Sequence, residues 1–153
     1  MGDLIGKAVF GEMYYVPKEE FLRVLNSNLS PLDKTKIYAS LCRINTLYMI
    51  AKAGSGHIGS SFSSMDIVSW IHLKEMLPSQ DAQLQEDHIF FSSKGHDAPA
   101  IYSSLIGIGQ LNFDLIHQLR RIEGLPGHPD VSIPGIVTNT GSLGMGVSKA
   151  KGM

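Results

Sequence analysis

HIFFSSKGHDAPAIYSSL, residues 88–105, sets the expected architecture. Residues 88–93 form a short, dense apolar run with turn formers after it, the pattern of a buried strand. Lys94, Gly95 and His96 then read as a turn, with Asp97 as a helix cap and Pro99 in the opening turn of the helix that follows. Strand, turn and helix in that order make the repeating unit of an α/β sheet.

Upstream, Ser30, Pro31 and Asp33 supply an N-cap, a proline at the first helical position and an acid in the first turn. Ile37, Leu41, Ile44 and Tyr48 recur at three- and four-residue spacing, so residues 31–53 are expected as an amphipathic helix ended by Gly54. Cys42 beside that stripe reads as a small buried hydrophobe. A Gly/Ser loop around His57 leads into a helix expected at 64–77, capped by Ser63 or Ser64, with Asp66 in its first turn and Pro78 closing it. Residues 78–87 read as a solvated connection. Residues 1–30 read as an uneven leader holding one short helix, PKEEFLRVLNSN, and a Tyr14–Tyr15 pair able to pack on the domain or on a partner.

Downstream, NFDLIHQLRRIEG gives a helix expected over 113–123, followed by a long loop over 124–135. IVTNT, residues 136–140, is a second candidate strand, and GSLGMGVSKAKGM reads as a glycine-rich turn opening a helix. The expected fold class is therefore α/β, a mostly parallel sheet flanked by helices. Two strands are too few for a complete sheet, so 31–153 is expected to be an incomplete domain.

Composition narrows the function. Of 153 residues, 43% are apolar and 18% charged, as in a core-forming chain. Thirteen basic against fourteen acidic residues leave a net charge of -1, with no basic stripe that would suit nucleic acid. The single cysteine excludes a disulfide framework or a cysteine-based metal site. No apolar run is long enough to span a bilayer, and residues 1–10 do not read as a secretory signal, so a cytoplasmic protein without membrane partners is expected.

Glycine is distributed unevenly: 13 of 16 lie from Gly54 onward. Three of them precede histidines, in Gly56-His57, Gly95-His96 and Gly127-His128. An imidazole after a glycine in a loop can point into a cleft while the neighbouring backbone admits a ligand, and imidazole exchanges protons near neutral pH. Turn geometry with incidental histidines is the competing reading, and a zinc site of His57, His96 and His128 is another. His72, His88 and His117 fall inside predicted elements and are read as structural or surface groups. The TGSLGMGVS run can cradle an anion or a cofactor ring but is neither a dinucleotide fingerprint nor a P-loop. Composition and spacing thus reach a cofactor or sugar site with proton-transferring histidines.

At these residues the sequence resembles the N-terminal part of the transketolase family, enzymes dependent on thiamine diphosphate. The resemblance rests on SGHIGSSFSSMDI, DHIFFSSKGHDAPAIYSSL, LPGHPD and PGIVTNTGSLGMGVSKAKGM, which fall in family order over residues 33–153. SKGHDAPA and TGSLG are most similar to the split-subunit members.

The resemblance implies a thiamine diphosphate-binding fold and roles for particular residues. It places His57 and His128 as catalytic groups that move protons and bind sugar hydroxyls, His96 beside the cofactor diphosphate, and Gly141 and Leu143 against the aminopyrimidine. Ser142 stands where many members have proline, and Met145 where glutamine is usual. Lys94 is left open between a phosphate contact and a solvated side chain, and Ser55, Ser60 and Ser61 read as turn residues. The implied reaction is transfer of a two-carbon ketol unit from a ketose to an aldose, with sugars or sugar phosphates as substrates. Family members hold Mg²⁺ or Ca²⁺ through a Gly-Asp-Gly motif that these 153 residues do not contain. The implied partner is a C-terminal pyrimidine-binding domain or subunit, in a homodimer or heterotetramer, and the chain alone is expected to be inactive. The alternatives are a sister enzyme of the deoxyxylulose-phosphate synthase type and a non-catalytic truncated subunit.

Overall fold

The computed structural model describes residues 5–8, 11–76 and 88–153. Strands β1 (Ile5–Ala8) and β2 (Gly11–Tyr14) precede helices α1 (Lys18–Leu25), α2 (Pro31–Ala53) and α3 (Ile58–Trp70). α3 runs on as a π-helical turn over Ile71–Met76. α4 (Ala98–Gly107), a 3-10 turn (Phe113–His117) and α5 (Met145–Gly152) complete the described elements. The connection expected at 78–87 lies outside the described residues.

The expected α/β architecture, a mostly parallel sheet flanked by helices, is not what the chain forms. Among the described residues the only strands are β1 and β2, an antiparallel hairpin with Ile5 opposite Tyr14 and Ala8 opposite Gly11. Residues 88–93 and 136–140 carry no strand. An apolar run becomes a strand only when its backbone donors and acceptors find a ladder. Here the chain before the second run closes on itself in local turns, with Ile133 N–H bonded to Asp130 C=O and Ile136 N–H to Ile133 C=O, both at 3.0 Å. The two runs do approach, since Phe90, Phe91, Ile136 and Val137 line one small cavity, but side chains and not ladder bonds join them.

α2 forms as the sequence predicts at its ends. Ser30 Oγ accepts from Asp33 N–H at 3.2 Å, Pro31 occupies the first turn, and Gly54 ends the helix at φ 70°. Its buried face matches the predicted stripe only in part: Tyr48 is buried and Leu41 packs on the core, but Ile37 and Ile44 are 40% and 46% exposed. Tyr38, Cys42, Asn45 and Met49 lie inward as well, so the buried face is centred about one residue around the helix. The polar members of this face are buried because each finds a partner. Tyr38 Oη donates to Ser104 C=O at 2.6 Å, and Asn45 both accepts from Val16 N–H and donates to Val16 C=O. Burial pushes the Cys42 thiol up to about 12, so it stays protonated and inert.

α1 has Pro17 at its N-cap and sends Phe21 and Val24 into the core beside Tyr38 and Met65. Tyr15 packs on Tyr48, Phe113 and His117, whereas Tyr14 is exposed. α3 begins at Ile58, six residues before the predicted start at 64, so Ser63 and Ser64 are interior and not caps. The low helix propensity of Gly59 and the serines is overridden by burial of Met65 and Val68. The helix predicted over 113–123 stops at His117. Arg120 N–H turns to Leu125 C=O at 2.7 Å and Leu125 N–H to Gln118 C=O at 3.0 Å, a loop that holds Arg120 at φ 58°.

His72 is buried in the π-helical turn, its Nδ1 2.7 Å from Ser104 Oγ. Burial lowers its pKa from 6.5 to about 4. Between those values the unfolded chain binds a proton that the native state refuses. Stability is therefore complete above pH 6.5 and falls as the pH drops toward 4. We expect urea unfolding to register a loss on the order of 3 kcal/mol across that window, and His72→Asn to remove most of the slope. An unchanged slope in the variant would refute the assignment.

Candidate functional site

His57 is the N-cap of α3, extended at φ -111°, ψ 91°, with its carbonyl accepting from Ser61 N–H. Its side chain makes no capping bond, and its exposed ring meets His96 edge to face, centroids 5.2 Å apart. His96 Nδ1 lies 2.9 Å from the Lys94 carbonyl. A carbonyl only accepts, so Nδ1 carries the hydrogen and Nε2 is the nitrogen left for a ligand. Lys94 is partly solvated but not free: its Nζ donates to Ser60 C=O at 3.3 Å and lies 3.6 Å from Asp97 Oδ2. It thereby ties the His96 loop to the first turn of α3. Ser60 and Ser61 belong to that turn, not to a loop.

Asp97 occupies the N-cap position of α4 but makes no capping bond with its side chain, against the sequence expectation. Its carboxylate is buried and accepts from Ser92 Oγ at 2.8 Å, bracing the loop from beneath.

The second half of the site meets the first at Gly95. At φ 70° a side chain is strained there, and a Cβ would stand 2.7 Å from Gly141 N and 3.0 Å from His128 Cδ2. Only the missing side chain lets the two loops touch. His128 is exposed, and its carbonyl accepts from Tyr102 Oη, on α4, at 2.9 Å. Burial, then the nearby Asp130 charge, raises the Tyr102 pKa, so the phenol keeps the proton that it donates. Asp130 closes the loop that carries Gly141: it accepts from Ser132 and from Asn139 Nδ2, and Asn139 Oδ1 accepts from Val131 N–H. The Ser132 bonds, chiefly, hold the Asp130 carboxyl below its ordinary value.

His57, His96, His128 and Gly141 therefore join in one chain of contacts through Gly95. Leu143 stands apart, 70% exposed on the turn before α5. Among the described residues no three His, Cys, Asp or Glu side chains are grouped to hold a metal ion. His88 bonds Glu75 C=O at 2.6 Å and His117 lies 2.8 Å from Tyr48 Oη, both as structural groups. Sequence reasoning missed Tyr102, Asp130 and Asn139 as positioning residues. Only the last two left a signal, since Asp130 and Asn139 bracket the loop between His128 and Gly141.

Residues 34–153 match the family model described as transketolase, thiamine diphosphate binding domain. The chain is 32% identical over 108 residues to one of the subunits of the apulose-4-phosphate transketolase of Phocaeicola vulgatus, covering 69% of this chain and 38% of that protein. It is 36% identical over 119 residues to 6-deoxy-6-sulfo-D-fructose transketolase subunit SqwG of a Clostridium species, covering 75% and 43%. It is 32% identical over 144 residues to human transketolase, covering 93% of this chain and 22% of that one. The chain thus spans less than half the length of these curated relatives.

The Gly95 contact predicts its own test. Gly95→Ala should lower stability by about 1–3 kcal/mol in thermal unfolding and abolish the nuclear Overhauser contact between His128 Hδ2 and Gly141. Retention of both would show that the loops do not depend on this approach.

Proposed function

Because the chain belongs to the transketolase family, matched over its thiamine diphosphate-binding domain, we propose that it serves as the cofactor-binding part of a ketol-transferring enzyme. That enzyme moves a two-carbon unit from a ketose to an aldose. The observation that carries the reading is the contact chain in which His57 meets His96 and Gly95 meets Gly141 and His128.

The residues fit the cofactor. His96 has Nε2 without a protein partner among the described residues, suited to the diphosphate, and Gly141 presents bare backbone to a ring. Leu143, exposed on the same turn, supplies an apolar face for the aminopyrimidine. When bound, thiamine diphosphate supplies a carbon nucleophile that no side chain offers. His57 and His128 orient the sugar hydroxyls and carry protons to and from them, both exposed and both without ring hydrogen bonds among the described residues. The described residues do not fit a metal ion: they contain no suitable group, and the sequence has no Gly-Asp-Gly. Mg²⁺ ligation is therefore assigned to residues outside this sequence.

A C-terminal pyrimidine-binding domain or subunit completes the site in this proposal, in a cytoplasmic homodimer or heterotetramer. Two relatives are themselves named as subunits, and the chain spans 38% and 43% of them. Their names carry a phosphorylated and a sulfonated sugar, which supports sugars with an anionic end as the substrate class.

Titration of the chain with thiamine diphosphate should move the His96 imidazole resonances, and His96→Ala should weaken binding about tenfold or more. Once a pyrimidine-binding partner restores ketol transfer, His57→Ala and His128→Ala should each lower kcat roughly a hundred- to ten-thousandfold. Full activity in both variants would overturn the proposed roles, and absence of any cofactor response would overturn the reading itself.

A further inference from the structure

Asp97 is 1% exposed, and its carboxylate does not cap the helix that it begins. The reason is local. An N-cap side chain accepts from the N–H two or three residues on. Pro99 has no N–H, and Ala100 N–H is taken by the Asp97 carbonyl at 2.9 Å. The carboxylate instead turns back into the loop that carries His96. Oδ2 accepts from Ser92 Oγ at 2.8 Å and lies 3.6 Å from Lys94 Nζ. Oδ1 has no hydrogen-bond partner among the described residues, and among them Lys94 is the only cation paired with Asp97. A buried carboxylate with a bare oxygen weakens a fold, so one cation answers a charge that stability alone does not call for.

The bonds of the loop converge on Lys94. Its N–H donates to Ser92 Oγ at 3.4 Å, and its carbonyl accepts from His96 Nδ1 at 2.9 Å. Its Nζ donates to Ser60 C=O at 3.3 Å, and Ser60 Oγ donates to the His57 carbonyl at 3.3 Å. A run of bonds thus leads from His96 through Lys94 and Ser60 to His57, and the two imidazole rings stand 5.2 Å apart at its ends. A lysine stem is flexible and its ammonium strongly hydrated, so one neutral carbonyl holds it weakly. The Asp97 charge, buried where water screens it least, supplies the attraction that keeps it in place.

We propose that Asp97 is a positioning residue which, acting through Lys94, sets the spacing of His57 and His96. It touches neither cofactor nor sugar. Its effect on cofactor binding rests on the thiamine diphosphate reading, whereas its effect on the spacing of the rings does not. A carboxylate kept only for stability would behave in the opposite way, its loss lowering the stability of the chain and leaving the rings where they are.

The test is Asp97→Asn in the full chain. The amide has the same shape and its oxygen still accepts from Ser92 Oγ, so only the charge behind Lys94 is removed. The thermal midpoint should hold or rise. The nuclear Overhauser contact between the His57 and His96 rings should weaken about twofold or more, and thiamine diphosphate should bind about fivefold or more weakly. Lys94→Met alone should lower the midpoint, because it strands the buried carboxylate, and adding Asp97→Asn should recover it. The double variant should bind the cofactor no more weakly than Asp97→Asn does, since the two residues act as one. If Asp97→Asn fails to fold by circular dichroism, the double variant, neutral at both positions, carries the comparison. A wild-type ring contact or wild-type affinity in Asp97→Asn, a fall in its midpoint, or additive losses in the double variant would each overturn the proposal. A wild-type chain without any cofactor response overturns the thiamine diphosphate reading instead, and the ring contact then decides the role of Asp97.

Discussion

Helix α4 is buried along all ten of its residues, from Ala98 to Gly107. A helix enclosed in this way keeps its place only if the polar groups on its surface are answered from every side. Tyr38 Oη donates to Ser104 C=O, Ser103 Oγ to Cys42 C=O, and Thr46 Oγ1 to Pro99 C=O. His72 Nδ1 meets Ser104 Oγ from the π-helical turn. α2 and the end of α3 thus fix α4 in translation as well as rotation, since hydrogen bonds set a register that apolar packing alone leaves looser. The site inherits that register. His96 lies two residues before α4, and Tyr102, one turn inside it, holds the carbonyl of His128. Two loops distant in sequence are located by one buried helix.

The parts of the fold legible in the sequence are those governed by local chemistry. Ser30, Pro31 and Gly54 bound α2 because capping and a left-handed stop need only neighbouring residues. The Gly-His pairs were legible for the same reason, as was the glycine-rich turn that opens α5. What failed depended on partners elsewhere. The run at 88–93 has the composition of a strand but no ladder to join, and composition carries no record of that. The α2 stripe is right at Leu41 and Tyr48 but incomplete, because Tyr38, Asn45 and Thr46 look like surface residues until their acceptors on α4 and Val16 are in view. At 113–123 the periodicity is helical, yet the 119–125 bridge takes the backbone groups that a helix would have used.

The six histidines show how context assigns chemistry to one residue type. His72, His88 and His117 each have Nδ1 engaged by a hydroxyl or carbonyl of another element. Burial, the main cause in each case, lowers the pKa of His72 and of His117, so the proton is withheld where a charge would be costly. The three that follow glycines are treated differently. His57 and His128 have rings without hydrogen bonds among the described residues, and His96 bonds only to the carbonyl of Lys94 in its own loop. A glycine before each removes the side chain that would have shielded the imidazole from a ligand. Where that glycine is Gly95, its bareness also draws a second loop in. Accessibility and assembly of the site are then one property of the backbone. A substitution that adds bulk at Gly95 should disturb His128 and Gly141, which lie 33 and 46 residues away in sequence, more than it disturbs His96 beside it.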